Sequence, residues 1–221
     1  MSNKPPWKRL VLTLENYHKV RDGEKTQTRR VIKEQPEWHP EGTCDCHEPR
    51  GAHWCYKGWT DPAMPPPLAM CEGARYQTGE VVGLTCPHWR CAAHGVTPLC
   101  IWDGVTRTVR YEDGKRPIRD VAGVENPPWK HMAARLMPAW ACMDFARITD
   151  VRAGRLQDIT LDAIEAEGWV HPERPVSLID RLGMGREWFV DLWDSIYAER
   201  GDGFDTNKWV WAYTFENVET P

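Results

Sequence analysis

The sequence lacks any apolar run approaching the ~20 residues that a membrane-spanning helix needs. Its opening, MSNKPPWKR, lacks the apolar stretch of a secretory signal. These two absences argue against a helical membrane anchor and make a cytoplasmic location the expectation. A large net charge is also missing. The formal value is −4, so nothing overall demands a polyanionic partner. No internal repeat is present, which removes solenoid and propeller architectures. Phenylalanine is scarce, four residues against thirteen tryptophans, so aromatic bulk rests mainly on indole.

What is present fits one domain, 1–221, with insertions. Hydrophobic residues make up 41% of the chain, enough for a core, while 18 prolines and 17 glycines mark much of it as loop. Charge is unevenly placed. Residues 1–34 carry nine Lys/Arg against four acids, and residues 155–221 carry six against fourteen. That asymmetry describes either an anion-facing surface beside an acidic one, or two ordinary solvated faces.

The pattern predicts an α+β chain, mainly β. Strands are expected over 8–13, 26–32, 79–85, 98–102, 142–152 and 208–215. Val105–Tyr111 and Arg116–Val121 flank Asp113-Gly114, a hairpin turn signal. Glu15–Arg21 makes a short helix with Thr13 or Asn16 at its start and Gly23 as the left-handed residue that ends it. Thr160 caps a second helix that ends at Gly168, and Arg186–Arg200 forms a third with Trp188, Phe189, Leu192, Trp193 and Ile196 inward. From 33 to 78, with a reach up to 128, the sequence turns Cys-, His- and Pro-rich and shows neither helical nor strand period.

Three stretches stand out together: GEKTQTRR (23–30), YQTGEVV (76–82) and FARITDVRAGRLQDITLDAIEAEGW (145–169). With WFVDLWDSIY (188–197) and NKWVWAYTFE (207–216) they resemble the ASCH family, which is related to PUA domains, and especially its longer phage and prophage members. The resemblance covers roughly half the chain. It implies a small β-barrel with peripheral helices and an insertion. One departure is visible: where the phage branch has an aspartate and an aromatic strand, this chain reads Gly79-Glu80-Val81-Val82-Gly83.

The resemblance implies a module acting on RNA, a nucleoside or a modified base. A shorter bacterial branch is an amidohydrolase that deacetylates 4-N-acetylcytidine with a lysine, a threonine and a glutamate. Those positions fall on Lys25, Thr28 and Glu167. Thr26, Arg29 and Arg30 become the candidate contacts to the nucleoside or to single-stranded RNA. The chemistry is coherent: a threonine hydroxyl needs a base, a desolvated lysine supplies one, and a protonated glutamate serves the leaving amine. Two function classes are therefore in play, an amidohydrolase on an N-acylated cytidine and a non-catalytic reader of RNA or a modified base. A protein-interaction module built on the insertion is a third. By themselves, Lys25 is a solvated turn lysine, Thr28 a strand residue, and Glu165 and Glu167 the polar face of a helix.

The Cys/His cluster raises a separate expectation. Cys44, Cys46, Cys86, Cys91 and His94, with Cys55, Cys71 and Cys100 as alternates, offer ligands for one structural zinc. Cys91-x-x-His94 has a good pair spacing, and a metal supplies folding energy where a core cannot. The other reading is a set of buried thiols beside surface histidines. The expected metal is structural rather than catalytic, and no organic cofactor is expected. Trp38, Trp54, Trp59, Trp89 and Trp129 fall in predicted loops, where they either stack on bases or cover the insertion.

Overall fold

Local signals set most of the element ends. The computed structural model describes residues 7–39, 53–55, 73–91, 109–111, 129–171 and 177–219. In chain order the longer elements are β1 (Lys8–Val11), α1 (Leu14–Arg21), β2 (Gln27–Val31), β3 (Glu37–His39), β4 (His53–Cys55), β5 (Val81–Thr85) and β6 (His88–Cys91). There follow β7 (Val109–Tyr111), β8 (Trp129–Met132), β9 (Phe145–Arg155), α2 (Leu161–Ala166), α3 (Leu178–Tyr197) and β10 (Trp209–Val218). The class is α+β, as the pattern predicts.

Thr13 caps α1, its side-chain oxygen accepting from the Asn16 N–H, and Gly23 follows at φ 81°. Thr160 caps α2 through the Ala163 N–H, and Gly168 follows at φ 98°. Both glycines occupy the left-handed region, which a Cβ disfavours. Lys25 lies just after the first glycine and Glu167 just before the second, so two chain reversals set the approach of these side chains.

The chain divides into two compact units, one of Met1–Asp22, Val81–Ala146 and Asn217–Pro221, the other of Gly23–Glu80 and Arg147–Glu216. In the first, β1 and β5 pair in parallel with Leu10 opposite Leu84. Tyr17 of α1 is buried and its hydroxyl donates to Asp144. β6 pairs antiparallel with both β7 and β8, giving the order β7-β6-β8. Gly83 in β5 is a close-packing position rather than a turn. A Cβ there would sit 2.6 Å from Trp7 Cε3 and 2.8 Å from Cys142 Sγ.

In the second unit, β10 and β2 pair antiparallel, with Tyr213 opposite Thr28 and Trp211 opposite Arg30. Leu156, Ile159, Ile164, Phe189, Trp193, Phe204 and Val210 form its core beside that sheet. Fully burying side chains of this size contributes about 1.5–3 kcal/mol each. Helix α3 runs a full two turns earlier than the periodicity predicts, starting after the Ser177 cap. Gly183 and Gly185 hide the helical signal there; Gly185 is buried against Trp169, whose Cε3 a Cβ would meet at 3.1 Å.

Among its described residues the insertion departs from its expected lack of order. β3 and β4 pair antiparallel with Trp38 opposite Trp54, and strands of three residues are too short to show a period. Val109–Tyr111 is a strand, while the predicted Arg116–Val121 and 98–102 strands lie outside the described residues. No described helix is long and apolar enough to cross a membrane.

Candidate active site around Lys25 and Glu167

The second unit brings two distant sequence segments together. Lys25 Nζ donates to Glu167 Oε2 at 2.5 Å and to the Glu167 backbone carbonyl at 2.7 Å, across a sequence separation of 142. Arg29 Nη1 donates to the other carboxylate oxygen, Oε1, at 3.0 Å. The side chains of Lys25 and Glu167 are 2% and 5% exposed, and that of Arg29 is 9% exposed. Burial of this kind is tolerated only with paired charges, since desolvating an ion costs several kcal/mol.

Several backbone bonds hold the geometry. The Thr26 N–H donates to the Ala166 carbonyl at 2.9 Å, and the Thr26 carbonyl accepts from the Phe215 N–H at 2.9 Å. The start of β2 is thereby tied to the last turn of α2 and to β10. Thr26 itself points outward and is exposed, so its contribution here is through the backbone.

Thr28 is buried at 4% exposure, in register with Tyr213. Among the described residues its hydroxyl has no hydrogen-bond partner, and Lys25 and Glu167 do not take it. Arg29, a candidate contact to the nucleoside or RNA, pairs with Glu167, and its guanidinium lies 5.8 Å from the centre of the Phe189 ring. Arg30 is half-buried and its Nη1 donates to the Tyr197 hydroxyl at 3.4 Å. Tyr197 in turn stacks on Trp193, with ring centroids 4.3 Å apart.

Electrostatics follow from this burial. Desolvation pulls the Lys25 ammonium below the ordinary lysine range; Glu167 opposes the shift, and Arg30 and Arg29 add to it. Glu167 accepts from two cations, which is the arrangement of a carboxylate. Tyr76 and Tyr213 meet edge to face with ring centroids 5.0 Å apart, and burial pushes both phenols up. Tyr197, Tyr213 and Phe189 were missing from the expected set. Tyr197 follows Trp193 by one helical turn, and that spacing was the available signal.

Most of the candidate metal ligands lie outside the described residues. Cys86 is buried and carries no disulfide. Cys91 and Cys55 lie on β6 and β4, of whose side chains nothing is described, and Cys44, Cys46, Cys71, His94 and Cys100 lie outside the described residues. Among the described residues no group of three or more His, Cys, Asp or Glu is arranged to hold a metal ion.

Comparison with known proteins finds two solved structures at low identity. The chain is similar to an ASCH domain from Lactobacillus crispatus, at 12% identity and a TM-score of 0.34, over 93% of this chain and 72% of that one. It is also similar to an Enterococcus faecalis V583 protein of the DUF984 family, at 10% identity and a TM-score of 0.39, over 93% of this chain and 68% of the other. No family model matches the chain, and no curated protein matches it significantly. At such identities the roles of Lys25, Thr28 and Glu167 have to be argued from the site itself.

Proposed function

We propose that this protein acts on a nucleoside or single-stranded RNA and hydrolyses an amide on the exocyclic nitrogen of an N-acylated cytidine. The observation that supports this reading is the buried 2.5 Å contact between Lys25 and Glu167, three residues upstream of a buried threonine whose hydroxyl is untaken. Glu167 takes a proton from Lys25, leaving a neutral amine. That amine takes the Thr28 proton as Oγ1 bonds to the acyl carbon. The C–N bond then breaks, and Glu167 returns its proton to the departing nitrogen. In the second half Lys25, again neutralised by Glu167, takes a proton from water as its oxygen attacks the acyl-threonine. Glu167 reprotonates Thr28 and the free acid leaves. Each half restores the ammonium and the carboxylate, so the site turns over without a net proton change.

Arg30 supports the same reading as an anchor for a phosphate or a base, held by Tyr197 at the stacked Trp193–Tyr197 pair. Incubation with 4-N-acetylcytidine tests the reaction, following loss of the acyl group. Lys25→Ala and Thr28→Ala are each expected to lower the rate by about 10²–10⁴-fold. No turnover, or turnover unchanged in both variants, removes the hydrolase and leaves a non-catalytic reader of RNA or a modified base.

A further inference from the structure

The Lys25–Arg29–Glu167 group is unbalanced. An ammonium has three donors and a guanidinium five. Lys25 directs hydrogen bonds to two acceptors, both on Glu167, and Arg29 directs one to the same residue. One carboxylate thus serves two cations, and among the described residues no second acid pairs with either. With side-chain exposures of 2%, 9% and 5%, water screens the surplus positive charge poorly. Both cations keep unused N–H groups, and the hydroxyl of Thr28, a buried residue next to Arg29 in the chain, is also untaken.

A ligand that completes this group carries one negative charge and two acceptor oxygens. A carboxylate has that form, and its two oxygens match the fork of a guanidinium. We propose that the unused donors of Lys25 and Arg29 form a seat for a carboxylate, and that the acid released from the substrate binds there as a product inhibitor. The identity of that acid rests on the proposed reaction; the seat rests on the charge count. Arg29 is then a binding residue for the acyl end of the substrate, distinct from Arg30 at the nucleotide end.

Acetate alone is the probe, titrated into the full chain at ionic strength held constant with chloride. Thermal stability and NMR line positions of the protein are the readouts. A saturable effect in the millimolar range is expected, weakened at least roughly tenfold in Arg29→Gln and less in Arg29→Lys, which keeps the charge but not the fork. Arg29→Lys also serves if the glutamine variant fails to fold. Absence of saturable binding to the wild type, equal affinity in wild type and Arg29→Lys, or tighter binding of inorganic phosphate than of acetate overturns the seat. Turnover of 4-N-acetylcytidine without acetate binding overturns this inference alone. Acetate binding without turnover supports the seat and removes the reaction instead.

Discussion

A lysine, a glutamate and an arginine decide what this site can do. In the proposed reaction Lys25 and Glu167 share one proton, which Lys25 yields before it accepts that of Thr28 and Glu167 returns to the leaving nitrogen. The sign follows directly: activity falls with pH as that proton is lost to solvent, and the midpoint of the fall lies below the ordinary 10.5. Arg30 is one of the cations that disfavour a second positive charge, so Arg30→Gln is expected to move this falling limb to higher pH, whatever it does to substrate affinity. A pH–rate profile of the two proteins checks this, and a limb that stays put or moves to lower pH excludes Lys25 as the base. In folding terms the same shift makes stability rise with pH between the lowered value of the folded lysine and 10.5, since over that range the unfolded chain holds a proton that the folded lysine has lost. Glu167 was legible as a residue but not in its surroundings: the two cations on its oxygens come from positions 142 and 138 residues earlier.

The elements explain why these residues meet. Caps and left-handed glycines were readable in advance, because Thr13, Gly23, Thr160 and Gly168 act within a few residues of themselves. The early start of α3 was not, since its two glycines suit a helix only where Trp169 packs against one of them. Gly83 makes a similar point. In the sequence it is the end of a departure from the family pattern; in the structure it is where β5 passes Trp7 and Cys142. Gly83→Ala is therefore expected to destabilise the protein by about 1–3 kcal/mol, since the blocking atoms belong to a ring and a buried thiol. Urea unfolding measures it, and a midpoint equal to that of the wild type contradicts the close packing.

For the molecule as a whole, the structural zinc remains a proposal, carried by the spacing of Cys91 and His94 and by the nearby Cys44, Cys46 and Cys86. Metal analysis of untagged protein should find about one zinc per chain, and Cys91→Ser should lower that content. A stoichiometry near zero ends the idea. The candidate site itself lies within the second unit, with Lys25 and Arg29 from its first segment and Glu167 from its other. The sequence by itself determined what short-range forces govern: the α+β class, the helix caps, the turn that frees Lys25, and the residue types suited to acyl transfer. Tertiary structure decided the rest. Pairing Lys25 with Glu167 joins positions 142 apart, and turning Arg29 inward depends on Phe189 and on a shared carboxylate. Charge balance in a buried group belongs to neighbours in space, and a linear order of residues does not contain it.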